Sequence, residues 1–228
     1  FDNDGFVYFS VGMKGPMEHI GVQDLSLPYG KIMRVHDDGR IPIDNPFLKD
    51  PNAVQAIWSY GHRNPQGLEF NSETNELWSS EMGPRGGDEI NLIQPGLNYG
   101  WPLISKGVDY TGKPINFAKL LGIEFDINNM VQPLVDLTPA PAISSFIFYQ
   151  GEQFPEWAGN IIIGSLRASD LMRFEFSQKN LVSTEYLLKD IARFRDIEVG
   201  YDGSIYVLLE NDSGGRILKI SRPSTKDL

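Results

Sequence analysis

The sequence predicts an all-β protein made of short antiparallel strands, and three observations support that prediction. Fifteen prolines and 23 glycines are spread over the 228 residues, and both residue types interrupt helices. No long segment repeats apolar residues at the 3.6-residue spacing of an amphipathic helix. Instead, four groups of short apolar runs follow one order: a strand, a tight turn, an apolar or aromatic strand, a variable loop and a further strand.

The predicted strands follow the chain in these four groups. The first begins after Asp4-Gly5, and the last contains a hairpin across Asp202-Gly203. Asp-Gly pairs favour the tight turns of hairpins. The predicted strands are Phe6–Ser10, Lys31–Val35, Leu68–Phe70, Glu76–Ser80, Glu89–Ile93, Ile161–Leu166, Asp170–Phe176, Ile197–Val199, Ser204–Leu209 and Gly215–Ile220.

Helical signals are few. Asp50–Ile57 has Asp50 as a candidate N-cap and Pro51 at the first helical position, which predicts one short helix. Asn116–Leu121 predicts a further helical turn. The remainder of the chain is strands and turns.

Repeated strand groups with irregular insertions indicate a β-propeller, in which each blade is a four-stranded sheet. A β-sandwich is the main alternative, because it also has short strands and turns rich in glycine and proline. Long insertions after the second strand of a group favour the propeller. The visible groups amount to about four blades. Because an open arc would leave sheet edges exposed, we expect residues 1–228 to form a single, partial propeller domain whose N-terminal blades are absent.

Charge and composition narrow the classes of function. A formal charge of −10 and a pI near 4.8 argue against nucleic acid and anionic membranes as partners, since both require a basic surface. The chain has no cysteine, which excludes disulfides, thiol catalysis and thiolate metal sites. No apolar run is long enough for a transmembrane helix, so we expect no membrane insertion.

The polar loops of the segment from Tyr60 to Trp101 are the strongest candidates for function. One loop contains Arg63 and Asn64, and the next runs from Glu81 to Glu89 and is rich in glycine. The second loop lacks the Lys-Ser/Thr pair of a phosphate-binding loop. It ends in Asp88-Glu89, and carboxylates beside accessible carbonyls suit calcium. A purely structural role for these turn-forming residues is the alternative.

Four arginines near strand ends form a second group of candidates. Arg193 and Arg195 are two residues apart, which puts both side chains on one side of an extended segment. Arg63 and Arg167 lie in or beside loops. If these side chains converge, they form an anion site suited to carboxylates. If they do not, each is expected to pair with one of the 30 acidic residues.

Four segments together resemble the soluble glucose/sorbosone dehydrogenases, a family of sugar dehydrogenases that depend on pyrroloquinoline quinone (PQQ). The segments are GHRNPQGL, SSEMGPRGGDEINLI, GLNYGWP and ARFRDIEV. The resemblance runs from about Phe6 to about Ile220. It implies a six-bladed β-propeller with PQQ and calcium on one face, and oxidation of aldose sugars at C1 to the lactone by hydride transfer to PQQ.

The resemblance also implies roles for individual residues. Arg63 and Asn64 match the pair that contacts the quinone oxygens, with Arg63 as the catalytic arginine. Arg167 matches a basic residue against PQQ, and Arg193 and Arg195 match the arginines that bind its carboxylates. The backbone carbonyls of Gly83 and Pro84 match the ligands of the PQQ-bound calcium. Asp88, Glu89, the Tyr99 carbonyl and Asp109 resemble the ligands of a further calcium.

One departure from the family concerns catalysis. The family's general base is a histidine upstream of the strand that matches DGFVYFSVG, and none of His19, His36 and His62 matches that motif. We therefore expect the parent protein to be a dehydrogenase and the chain as given to lack turnover.

The resemblance further implies a sugar substrate, an electron acceptor and a periplasmic or secreted location, and it leaves a homodimer open. Two alternatives remain: a non-catalytic calcium-binding propeller that serves as an interaction module, and a calcium-dependent propeller lactonase.

Overall fold

The computed structural model describes residues 1–15, 19–115, 117 and 124–223, and these residues contain 14 β-strands. The chain divides into two compact units, Phe1–Ala140 and Pro141–Leu228. The strands are β1 (Val7–Val11), β2 (Lys31–Val35), β3 (Ile57–Tyr60), β4 (Pro65–Asn71), β5 (Glu76–Glu81), β6 (Asp88–Ile93), β7 (Val135–Leu137), β8 (Ile143–Phe148), β9 (Ile161–Ser165), β10 (Leu171–Ser177), β11 (Asn180–Leu188), β12 (Arg193–Val199), β13 (Ile205–Asn211) and β14 (Gly214–Ile220).

The strands form four sheets, and every ladder between them is antiparallel. The first unit holds the sheets β1-β2-β3 and β4-β5-β6-β7. The second unit holds a sheet of order β11-β10-β9-β8 and the sheet β12-β13-β14. The prediction of an all-β protein is therefore confirmed.

All ten predicted strands are present, with ends that differ by up to four residues. Sequence reasoning missed four strands: β3, β7, β8 and β11. Short 3-10 helices occur at His19–Val22, Ile127–Asn129 and Pro155–Trp157. The helical turn predicted at Asn116–Leu121 falls, apart from Phe117, outside the described residues. Within the described part of the chain, no helix combines the length and apolar character needed to cross a membrane.

The helix predicted at Asp50–Ile57 is wrong. Asp50 caps only a turn, in which its carboxylate accepts the backbone N–H of Asn52 at 2.9 Å. The N–H of Val54 then donates to the Leu25 carbonyl at 2.8 Å. Ile57 begins β3, where it pairs with Met33 and is fully buried. Tertiary burial in the sheet therefore prevails over the local capping signal.

Each unit has its own apolar core. In the first unit, Ile32, Leu77, Ile93 and Tyr99 pack together from strands of both sheets and the loop after β6. In the second unit, Phe194 of β12 is buried between exposed neighbours. Leu171 of β10 and Val207 of β13 belong to the same cluster.

A tyrosine in the second core connects packing to backbone hydrogen bonding. Tyr149 is fully buried, and its hydroxyl donates to the Gly203 carbonyl at 2.6 Å and accepts from the Phe154 N–H at 3.1 Å. A Cβ at Gly203 would lie 2.7 Å from the backbone nitrogen of Glu152. The Tyr149 hydroxyl therefore holds the turn at Gly203. The backbone of this turn lies too close to that of Glu152 for residue 203 to carry a side chain.

We expect Tyr149→Phe to lower the free energy of unfolding by about 1–3 kcal/mol, because it leaves a buried carbonyl and a buried N–H without their partner. Tyr201→Phe is the matched control, since Tyr201 is fully exposed. Urea unfolding of both variants measures the difference. Equal stability of the two variants would contradict the assignment.

Candidate functional site

The loop from Gly61 to Asn64 presents the first pair of predicted site residues, and almost every backbone group in it is bonded. The carbonyl of Gly61 accepts from the Trp101 N–H at 2.9 Å, and the His62 N–H donates to the Gly30 carbonyl at 3.2 Å. The carbonyls of Arg63 and Asn64 accept from the N–H groups of Met13 and Met82 at 2.9 and 3.1 Å. The loop is therefore tied to four other segments of the first unit.

The carboxylate of Glu81 completes this bonding. One of its oxygens, Oε1, accepts the backbone N–H groups of both Arg63 and Asn64. The other, Oε2, lies 3.0 Å from Nδ1 of His62. Glu81 ends β5 opposite Pro65 of β4, and this register brings its side chain beneath the loop. It is 5% exposed.

His62 connects Glu81 to a third buried side chain. Its Nε2 lies 2.9 Å from Oγ of Ser59, and its ring stacks on Tyr99 with centroids 4.5 Å apart. Ser59 and His62 are both fully buried. Because an ionised carboxylate only accepts hydrogen bonds, Nδ1 is assigned as the donor to Glu81.

The Arg63 guanidinium is buried against backbone carbonyls and an indole. Its Nη1 donates to the carbonyls of Met82 and Gly83 at 2.9 and 3.0 Å, and its Nη2 donates to the Tyr110 hydroxyl at 3.2 Å. The guanidinium carbon lies 5.4 Å from the centre of the Trp101 ring. Among the described residues, neither Arg63 Nε nor Trp101 Nε1 has an acceptor, although both atoms are buried.

His19 also lies near Arg63. Its ring is edge-on to Trp101, with centroids 5.5 Å apart. Burial, and then the positive charge of Arg63, lower the pKa of His19. The imidazole therefore adds no positive charge at neutral pH to the region around Arg63.

The glycine-rich loop after β5 folds back on itself. Asp88 is fully buried, and its carboxylate accepts the Gly83 N–H at 2.9 Å. A Cβ on Gly83 would lie 2.1 Å from the Gly86 carbonyl oxygen and 2.4 Å from that of Gly87. The loop thus requires glycine at position 83. In this folded-back conformation the Gly83 carbonyl accepts a hydrogen bond from Arg63.

Glu89 lies in an acidic environment. Burial, and then the charge of Glu81, raise the pKa of Glu89 to about 8, with smaller contributions from Asp136 and Asp88. Its Oε2 accepts from Asn91 at 3.2 Å. Glu89 and Tyr99 both border a cavity of about 260 Å³. A cation in this region would favour the charged carboxylate.

Asp109 is engaged in a turn of its own. Its Oδ1 accepts from the Thr111 N–H, the Thr111 hydroxyl and the Lys113 N–H at 2.8, 2.7 and 2.9 Å. These bonds lower the pKa of Asp109. In the part of the chain that is described, no three His, Cys, Asp or Glu side chains form a group that could hold a metal ion. The second calcium set stays a prediction.

The remaining predicted arginines lie in the second unit. Arg167 follows β9 and is exposed. Arg193 and Arg195 both pair with Glu210, with Arg195 Nε donating to its Oε2 at 2.5 Å. The predicted placement of these two side chains on one side of β12 is therefore confirmed. The convergence of all four arginines stays a prediction.

Within the first unit, the structure brings several predicted residues to one place. Arg63, Gly83, Glu89 and Tyr99 border one cavity of about 10 Å³, which is the size of a single water. Sequence reasoning missed the supporting residues Ser59, Glu81 and Trp101. The register of the β4–β5 hairpin places Glu81 opposite Pro65, next to the Arg63-Asn64 pair, and no local signal in the sequence encodes that register.

We expect Gly83→Ala to lower the free energy of unfolding by about 1–3 kcal/mol, because the added Cβ forces two carbonyls apart in a packed loop. Gly215→Ala is the matched control, since the nearest atom to its Cβ would be the Leu209 carbonyl oxygen at 3.7 Å. Urea unfolding midpoints of the two variants test this. An unchanged midpoint for Gly83→Ala would show that the loop is looser than described.

Comparison with known proteins identifies relatives over almost the whole chain. The glucose/sorbosone dehydrogenase family model matches residues 1–219. The aldose sugar dehydrogenase YliI of Escherichia coli (strain K12) is 40% identical over 225 residues, which cover 97% of this chain and 58% of the relative. The quinoprotein glucose dehydrogenase B of Acinetobacter calcoaceticus is 29% identical over 89% of this chain and 52% of the relative.

A solved structure agrees with the fold. The PQQ-bound form of the aldose sugar dehydrogenase of Streptomyces coelicolor superposes with a TM-score of 0.73 at 25% identity, over 97% of this chain and 60% of that chain. The chain thus spans a little over half of the length of the relatives it matches. With the family model covering nearly every residue, the chain belongs to the glucose/sorbosone dehydrogenase family.

Proposed function

We propose that the parent protein oxidises aldose sugars at C1 to the lactone, with PQQ as the hydride acceptor and calcium as its metal ion, and that the chain as given binds this cofactor without turnover. The observation that carries the proposal is the buried Arg63 guanidinium, held beside the Gly83 carbonyl by a loop whose backbone is fixed through Glu81. Family membership supports sugar oxidation. A PQQ-bound relative supports the choice of cofactor.

The buried donors of Arg63 and Trp101 suit a ligand that carries oxygen acceptors. Arg63 Nε and Trp101 Nε1 are buried donors that have no acceptor among the described residues, and such donors are costly unless a ligand or water satisfies them. PQQ, when bound, supplies a quinone that accepts the hydride. The role of Arg63 is to stabilise negative charge on an oxygen as that charge develops. Asn64, on the same loop, orients the ligand.

The calcium assignment rests on the backbone of the glycine-rich loop in the first unit. Backbone carbonyls such as those of Gly83 and Pro84 are ligands of the type that calcium takes, and the loop that carries them packs its Gly86 and Gly87 carbonyls where a Gly83 side chain would lie. A cation at the Gly83 carbonyl would repel the Arg63 guanidinium, and an anionic cofactor offsets that repulsion. We further propose that Asp88, Glu89, Tyr99 and Asp109 supply ligands to a second calcium.

The arginines of the second unit are proposed to bind the carboxylates of PQQ. Arg193 and Arg195 share the single carboxylate of Glu210, and their side chains are 50% and 40% exposed. Exposed ion pairs of this kind contribute only about 0–1 kcal/mol. A tricarboxylate can therefore replace Glu210 as their partner at little cost. Arg167 is proposed to contribute a further positive charge.

The finer features of the family are proposals as well. We propose that the four sheets are blades of a six-bladed propeller. We also propose that an electron acceptor reoxidises the cofactor and that the protein works in the periplasm or outside the cell. Homodimer formation is compatible with these proposals.

We expect the purified protein to bind PQQ in the presence of calcium, and we expect Arg63→Ala to weaken that binding by about 10- to 100-fold, because hydrogen bonds to charged groups are worth about 1.5–3 kcal/mol. Titration followed by PQQ absorbance gives the Kd. Arg40→Ala is the matched control, since Arg40 is exposed and paired only locally with Asp38.

Dehydrogenase activity is tested in the parent protein, reconstituted with PQQ and calcium, with aldoses and an artificial electron acceptor. Reduction of the acceptor that requires both sugar and PQQ supports the proposal. Calcium binding without any PQQ binding would favour a non-catalytic interaction module instead. Bound PQQ with no oxidation of any aldose would contradict the assigned reaction.

A further inference from the structure

We propose that Glu81 and His62, supported by Ser59, are positioning residues that direct Arg63 and Asn64 toward the cofactor. This inference rests on the proposed function and adds residues that touch neither PQQ nor the sugar. The three side chains form one continuous hydrogen-bonded row, from Ser59 Oγ through both nitrogens of His62 to the Glu81 carboxylate.

The Glu81 carboxylate holds two consecutive amides with one atom. Its Oε1 accepts the backbone N–H groups of Arg63 and Asn64. Two adjacent N–H groups that point at one acceptor restrict the backbone torsion angles between them. The direction in which the Arg63 side chain leaves the backbone is set by those angles. The contacts of its guanidinium with Met82 and Gly83 therefore depend on Glu81.

His62 in turn controls the orientation of the Glu81 carboxylate. The bond from Nδ1 to Oε2 is 3.0 Å long and stops the carboxylate from rotating away from the loop. The ring itself is held by stacking on Tyr99 and by the bond between Nε2 and Ser59 Oγ. Outer-shell partners of this kind commonly orient the groups that contact a metal or cofactor.

Burial separates this row from a catalytic triad with the same residue types. Ser59 and His62 have no exposed surface, and Glu81 is 5% exposed. A nucleophilic serine must reach a reacting atom of its substrate, and Ser59 cannot. The row acts on the backbone of Arg63 and Asn64 instead.

A pair of substitutions at His62 tests this proposal. His62→Phe keeps the flat ring against Tyr99 and loses the donor to Glu81. His62→Asn loses the ring but keeps an N–H donor at the position of Nδ1. We expect His62→Phe to weaken PQQ binding by about 10-fold or more, the range for outer-shell changes, and we expect His62→Asn to restore most of the affinity.

Packing alone predicts the reverse order, with His62→Asn the weaker binder. That order, or equal affinity of both variants and the unchanged protein, would overturn the positioning role. Urea unfolding midpoints show whether a loss of affinity occurs without a loss of fold. The absorption spectrum of bound PQQ adds a second readout, since a displaced Arg63 alters the charge near the quinone.

Serine substitutions provide a milder version of the test with a matched control. Ser59→Ala removes the hydroxyl that supports His62, and we expect a smaller loss of PQQ affinity than in His62→Phe. Ser79→Ala makes the same change at a fully buried serine whose hydroxyl contacts the Ser80 carbonyl at 3.5 Å, and we expect no loss. Equal effects of the two changes would contradict the proposal. Failure of the unchanged protein to bind PQQ would overturn the proposed function and this inference together.

Discussion

The Glu81 carboxylate accepts hydrogen bonds from a histidine ring and from two consecutive backbone N–H groups, in a place that water hardly reaches. A buried carboxylate is costly unless such donors satisfy it, so the loop and the carboxylate stabilise each other. The bonds of this one group define where the backbone of Arg63 and Asn64 lies. The contacts of the Arg63 guanidinium with the Met82 and Gly83 carbonyls follow from that position. So does the burial of Arg63 Nε, which has no acceptor among the described residues.

Charge is distributed unevenly around this loop. Arg63 stands among carbonyls and indole, while Glu81, Asp88, Glu89 and Asp136 place several carboxylates within electrostatic range of one another. A protein with a net charge of −10 therefore concentrates a positive group next to a region that favours a cation. An anionic cofactor together with a divalent cation would satisfy both halves.

The sequence predicted most strands and the two site loops, because alternation, Asp-Gly turns and glycine-rich segments are local signals. It also predicted that Arg193 and Arg195 share one side of β12, which depends only on the two-residue period of a strand. Their common partner Glu210 depends on the β12–β13 register, which no local signal encodes. The same holds for Glu81, which reaches Arg63 through the pairing of β4 with β5. Ile57 was assigned to a helix because the capping signal of Asp50 and Pro51 is local. Its burial in a sheet depends on tertiary contacts that this signal does not contain.

Amide hydrogen exchange at Arg63 and Asn64 is the most direct test of the account, since both N–H groups are assigned to one carboxylate oxygen. We expect slow exchange of both amides in the unchanged protein and faster exchange of both in Glu81→Leu, because leucine has no acceptor for the two N–H groups. The Tyr99 amide, which bonds to the Tyr60 carbonyl at 2.8 Å, is the internal reference and is expected to keep its rate. Fast exchange of Arg63 and Asn64 in the unchanged protein, or the same rates in Glu81→Leu, would show that Glu81 does not hold these two amides.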